Sequence, residues 1–348
     1  MLGAALLLSW ALLTVLSIRS GWRGTFEPAE LLRGVLAMVG LAEPLDAGHE
    51  QTILRLRLWR ALTAGAVGGG LALAGAYLQG LLRNGLASPS VVGVTAGSVL
   101  GASLAIAAIG GYGSRLVPSS ASFLTPALVT LFALVGALLV TWTVVTLAST
   151  GRRLSVPTLL LAGIAMNTLV GGVLAALQSL TLKDAEVSRA ILAWTFGTLD
   201  DRTGWQVAIV AAGTLLAAVA IPFLSKELDL FAGGEEDAQA LGVDVQRTKF
   251  LTLLAAALAT ACAVSVAGQI PFVGLVVPHV VRGLVGASHR LVLVLSLLLG
   301  AVFLLACDVL QQAWLPNAGI RPGVLMSLIG GPFFLFLLLK NKRALTSW

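Results

Sequence analysis

Long apolar runs alternate with short polar connections along this chain, and the length of the runs decides its class. A hydrocarbon core about 30 Å thick needs roughly 20 apolar residues to be crossed as a helix. Ten runs approach that length: Leu2 to Ile18, Ala61 to Leu82, Val91 to Ile109, Phe123 to Ala148, Val156 to Leu180, Trp205 to Leu224, Phe250 to Ala267, Ile270 to Ala287, Leu291 to Gln311 and Pro322 to Leu339. The pattern predicts an all-α polytopic membrane protein of about ten transmembrane helices, a single domain over residues 1–348. The first run has no basic residue ahead of it and no clear small-residue cleavage site, so it is expected to be a retained helix rather than a signal peptide.

Breaks within the runs are more informative than the runs. The segment GQIPFVGLVVPHVVR, Gly268 to Arg282, places Gly268, Pro271, Gly274 and Pro278 where a plain membrane helix would be uninterrupted. Backbone groups freed by such breaks cannot be hydrated in lipid, so the segment must be surrounded by protein or line a watery pathway. It is read here as transport machinery, the alternative being a kinked packing helix. His279 within it is expected to be structural, bonded to a freed carbonyl, while His49 and His289 are expected in loops. Glycines crowd particular runs: Gly93, Gly97 and Gly101 at intervals of four, and Gly65, Gly68, Gly69 and Gly75 in the second. Small residues at that spacing let helix backbones touch, which matters where lipid supplies no hydrophobic force between helices.

Composition agrees: 57% of the 348 residues are hydrophobic and 11% charged. The formal charge of +6 is carried by residues scattered singly at the ends of runs, so no basic face for nucleic acid exists. Cys262 and Cys307 both fall inside apolar runs, which points to packing rather than to a disulfide or a metal site. With the amino terminus inside, eleven of the 22 basic residues fall on each side, so the positive-inside rule returns a tie. No paired acid and base, Cys-His or metal-ligand constellation suggests an enzyme, and no metal site is expected.

The run from Arg57 to Ala102, RLWRALTAGAVGGGLALAGAYLQGLLRNGLASPSVVGVTAGSVLGA, resembles the second and third helices of the FecCD family, the membrane subunits of importers for ferric siderophores, haem and cobalamin. LLLAGIAMN from Leu159, W..GTL from Trp194, ALGVDV from Ala240, the broken segment itself and GVLMSLIGGPFF from Gly323 follow in family order. The resemblance implies the type II ABC-importer permease architecture: ten helices, both termini in the cytoplasm of a bacterial inner membrane, and a homodimer with the pathway on its two-fold axis. It also implies two ATP-binding-cassette ATPase subunits below and a periplasmic substrate-binding protein above. No G-x-x-x-x-G-K-[ST] loop occurs, so ATP and Mg belong to the partner ATPase and this chain carries no cofactor. Coupling to an ion gradient is the alternative, but it calls for ionisable groups inside the membrane, and only Asp308 and His279 offer them.

Site residues follow from the same resemblance. Residues 225–249 form a polar stretch in which Gly233, Gly234, an acidic cluster and Gly242 bracket a short helix. It is similar to a coupling helix that seats in the ATPase, with Ala238, Ala240, Leu241 and Gly242 in contact. Arg57 and Arg60, three apart and so on one helix face, stand where relatives carry arginines that pair with glutamates of the binding protein. Arg321 is a further docking candidate, although the family has proline there, and residues 181–204 are expected as an external loop with a short helix. The cytoplasmic gate maps to Asn84, Leu86, Val156 and Pro157, with Gly85 replacing a usual proline. Met166, Asn167 and Val170 of the fifth span are expected to line the pathway, where Asn167 serves either substrate or a neighbouring helix.

Overall fold

The computed structural model describes residues 2–21, 24–45, 48–110, 124–151, 153–314 and 320–340. Arg23, Arg115, Arg152, Lys342 and Arg343, all counted for orientation, lie outside the described residues.

The bundle is built from helices α1 (Leu2–Arg19), α2 (Pro28–Met38), α3 (Gly48–Leu81), α4 (Val94–Ile109), α5 (Leu124–Ala148), α6 (Val156–Thr181), α7 (Ala185–Thr195), α8 (Gly204–Val219), α9 (Ile221–Phe231), α10 (Glu235–Ala240), α11 (Val245–Ala267), α12 (Val273–Val285), α13 (His289–Trp314) and α14 (Pro322–Lys340). Two-residue strands pair antiparallel at two connections, β1 (Ser20–Gly21) with β2 (Gly24–Thr25) and β3 (Ser149–Thr150) with β4 (Arg153–Leu154). Six helices are long and apolar enough to cross a membrane, α8 and α9 make a seventh span bent by 54°, and α4, α12 and α14 are shorter apolar helices. Together they account for the ten expected spans.

Three boundaries differ from the hydropathy reading, each for a local reason. Helix α3 starts at Gly48 rather than near Ala61, because the polar turns carrying Arg55, Arg57 and Arg60 continue the same helix beyond its apolar part. The third run begins as a 3-10 turn, Pro89–Val92, and only then becomes α4, since Gly93 takes a left-handed conformation (φ 83°) between them. That conformation costs glycine nothing and most other residues a good deal. His49 and His289, expected in loops, stand in the first turns of α3 and α13.

Helices α3 and α11 are buried along most of their length, whereas α1 and α6 are mostly exposed. Glycine sets the closest approaches. A Cβ on Gly68 would lie 2.2 Å from the Gly300 carbonyl of α13, and one on Gly97 or Gly101 2.3 or 2.0 Å from the Gly136 or Phe132 carbonyl of α5. The helix backbones therefore touch, as small residues permit in lipid.

The break before α12 is packed, not open. Gly268 leaves α11 with φ 72°, and Phe272 takes the left-handed conformation at the start of α12. Thr198 N donates to Ala267 O at 2.8 Å and Gly323 N to Phe196 O at 3.1 Å. The W..GTL segment, the broken segment and the start of α14, far apart in sequence, thus satisfy one another's backbone. Pro278 leaves the Gly274 carbonyl without a helical donor. That carbonyl lies against Gly75 of α3, where a Cβ would come within 1.7 Å of it. One residue on, Leu275 O accepts from Gln79 Nε2 at 3.3 Å. Helix α3 therefore meets the carbonyls around the proline, which is what the absence of water demands.

Candidate functional site

Polar chemistry is concentrated at the two ends of the bundle. At one end α9 runs into α10 through Gly234, whose φ of 139° only glycine holds comfortably. Glu235, Glu236 and Asp237 occupy the first turn of α10, where carboxylates favour the positive end of the peptide dipoles. Gly242 (φ 88°) ends the helix. Ala238 is fully buried in a small apolar cluster with Phe231, Val243 and Val245. Ala240, Leu241 and Gly242 face outward, Leu241 with 68% of its surface exposed. One side of α10 is thus anchored to the bundle and its C-terminal end presents a small apolar knob.

The residues assigned to the gate lie at this same end. Asn84 is exposed and its Oδ1 accepts from Leu86 N at 2.9 Å, closing the turn after α3. Val156 is half-buried and Pro157 exposed in the first turn of α6, whose cap is Ser155. Further along α6, Val170 is buried and Met166 half-buried against the core. Asn167 Nδ2 donates to Ser90 O at 3.0 Å, tying α6 to the 3-10 turn. The strongly exposed positions of α6 include Leu161, Ile164 and Leu169, and no atom lies within contact distance of a Cβ built on Gly171 or Gly172.

At the opposite end, Arg57 and Arg60 diverge although they share a helix face. Arg57 is buried, stacks over the Phe26 ring at 5.2 Å, and donates to Ile18 O at 3.2 Å and Gly24 O at 2.9 Å. Its donors hold the end of α1 and the strand β2. Arg60 grips Asp308 of α13 with Nε and Nη2, the latter at 2.7 Å from Oδ1, while Nη1 meets Asp200. Gln312 Nε2 adds a donor to Asp308 Oδ2 at 2.8 Å. Arg321 approaches Asp200 at 3.6 Å and donates to Thr198 Oγ1 at 3.2 Å, remaining about a third exposed. Asp308 is fully buried, and a buried carboxylate of this kind persists only when paired and bonded. The acid that offered material for a proton relay is thus neutralised by a guanidinium.

Sequence reading missed Asp200, Glu235, Lys249 and Gln246 as structural partners. The signal available was their charge or amide in so apolar a chain, but pairing leaves no local mark: Asp200 lies 140 positions from Arg60, Gln246 92 from Leu154, and Glu235 14 from Lys249.

Comparison with known proteins decides the reading. The FecCD transport family model matches residues 5–340. The chain belongs to the FecCD transport family. This FecCD permease is 39% identical over 311 residues to the cobalamin import system permease protein BtuC of Halobacterium salinarum, covering 86% of this chain and 78% of that one. It is 36% identical over 296 residues to the hemin transport system permease protein HmuU of Yersinia pestis, covering 83% and 84%. A solved inward-facing ABC transporter described as of metal-chelate type superposes with a TM-score of 0.80 at 28% identity, covering 97% of this chain and 98% of that one. The architecture is that of a type II ABC-importer permease. The family is a non-catalytic one, so the permease conducts and does not react.

Proposed function

We propose that this chain is the membrane-spanning subunit of a binding-protein-dependent ABC importer that brings a bulky metal chelate, of the haem, ferric siderophore or cobalamin kind, into the cytoplasm. The observation that carries this is the family match along nearly the whole chain, residues 5–340. Two copies of the permease pair about a pathway, with α6 contributing its exposed face. Two ATPase subunits, which hold ATP and Mg, seat on the knob formed by Ala240, Leu241 and Gly242, with Ala238 bracing α10 from behind. The α10 end, with Asn84, Leu86, Val156 and Pro157 at the inner constriction, is then cytoplasmic, and so are both termini in the bacterial inner membrane. The arginine end faces a periplasmic binding protein.

Of the three docking candidates, Arg321 has the exposed guanidinium. Arg60 reaches the same surface only through Asp200, and Arg57 serves from beneath by fixing the neighbouring backbone. Met166, Asn167 and Val170 set the shape of α6 behind the pathway face.

The test is reconstitution in vesicles with the cognate ATPase and binding protein. Uptake of the chelate is expected only with ATP inside the compartment that holds the ATPase and with loaded binding protein on the other side. Uptake driven by a proton or sodium gradient in the absence of ATP overturns the proposal.

A further inference from the structure

The α10 end contains an ion pair, its cation buried and its carboxylate 38% exposed, that the proposed function leaves without a task. Lys249, on the first turns of α11, is 3% exposed. Its Nζ donates to Glu235 Oε2 at 2.7 Å and to Leu154 O at 3.1 Å. Glu235 is the first residue of α10. Leu154 closes β4 and stands one residue before Ser155, the cap of α6. One turn back on the same face of α11, Gln246 Oε1 accepts from Leu154 N at 2.8 Å. Both backbone groups of Leu154 are therefore held by α11 side chains, and one of those side chains also holds α10.

We infer that Lys249 is a positioning residue for transport: it links the start of α10 to the start of α6, so that displacement of the ATPase seat is carried to the pathway helix. The link rests on the reading of α10 as the seat. Its physics is that of a buried cation. An ammonium removed from water must keep its partners or lose far more than a surface pair would, so Glu235, Leu154 O and Lys249 move as a unit rather than separate. Gln246 adds a second tether to the same peptide plane. The hairpin β3–β4 is short, and Ser155 N donates to Ala148 O at 3.1 Å across its base, so a displacement of Leu154 has no slack in which to dissipate before reaching Val156 and Pro157.

Hydrogen exchange on the full transporter tests this without knowledge of the cargo. Amide exchange is followed in the wild type and in Lys249→Met, with the ATPase present and with or without a non-hydrolysable ATP analogue. In the wild type, nucleotide is expected to change protection both in residues 234–242 and in residues 153–158. In Lys249→Met the first segment still responds and the second falls to a third or less of its wild-type response, while Lys249→Arg restores most of it. Where cargo uptake is measurable, uptake per ATP hydrolysed drops at least tenfold in the Met variant. If residues 153–158 respond equally in Lys249→Met, the link is refuted with the seat intact. If residues 234–242 fail to respond even in the wild type, the seat itself is wrong and the link falls with it. Should Lys249→Met not assemble, Glu235→Gln, which keeps an acceptor for Lys249 but not the charge, reads the same two segments.

Discussion

Arg60 and Asp308 are the residues on which the arginine end stands, and removing Arg60 alone leaves the buried Asp308 without its counter-charge. Breaking such a pair costs about 3–5 kcal/mol, whereas replacing both partners with apolar groups is often neutral. Arg60→Ala is expected to lower the melting temperature in detergent sharply, and Arg60→Met with Asp308→Leu to recover most of it; equal melting of the single and double variants would show that the pair carries no such weight. Arg57 and Arg321 separate in the same way. Arg57→Glu should destabilise the permease itself, because the carbonyls of Ile18, Arg19 and Gly24 lose the guanidinium, Arg19 O keeping Phe26 N as its donor. Arg321→Glu should leave melting unchanged and weaken the complex with the binding protein more at low salt than at high salt, since exposed charges are screened within about 10 Å at 0.1 M. The arginines themselves were conspicuous in the sequence. Their partners were not, because pairing across such separations is set by how helices stack and leaves no local pattern.

Among the elements, α12 is the one whose sequence looked damaged and whose structure is sound. Its breaks are matched by α3, so a change on the α3 side should injure it. Gly75→Ala would drive a methyl group into the Gly274 backbone, and overpacking of this sort costs about 1–3 kcal/mol or more where backbone is the obstacle. Thermal melting of the purified protein checks it; a shift no larger than that of Gly172→Ala, where space is open, would contradict the packing described. For α6, single cysteines at Leu161, Ile164, Leu169 and Val173 should cross-link between copies with helical periodicity if the exposed face meets a second copy. Uniformly absent cross-links would assign that face to lipid. The ten apolar spans and the short helix between two glycines were legible because hydrophobic length and glycine punctuation are local properties. The 3-10 turn before Gly93 and the early start of α3 were not, since hydropathy weighs how apolar a residue is and not the backbone angle it adopts.

At the scale of the whole molecule, the glycine contacts divide the bundle. Among the described glycines, close approaches to backbone carbonyls join α3 to α12 and α13 on one side and α4 to α5 and α6 to the 3-10 turn on the other, while Gly268 at the end of α11 and Gly323 of α14 approach Trp194 O and Phe196 O at the end of α7. None of them joins α4, α5 or α6 to α3, α8, α11, α12 or α13. Across that boundary α11, which contains no glycine, packs on α4 and α5, while Gln206 of α8 donates to Thr130 Oγ1 of α5 at 3.3 Å and Lys249 and Gln246 of α11 hold Leu154 before α6. Two groups of helices, each joined internally by touching backbones, are thus apposed along a seam that polar side chains bridge at both ends. Shear between them would spare the close backbone contacts within each group and load these bridges first.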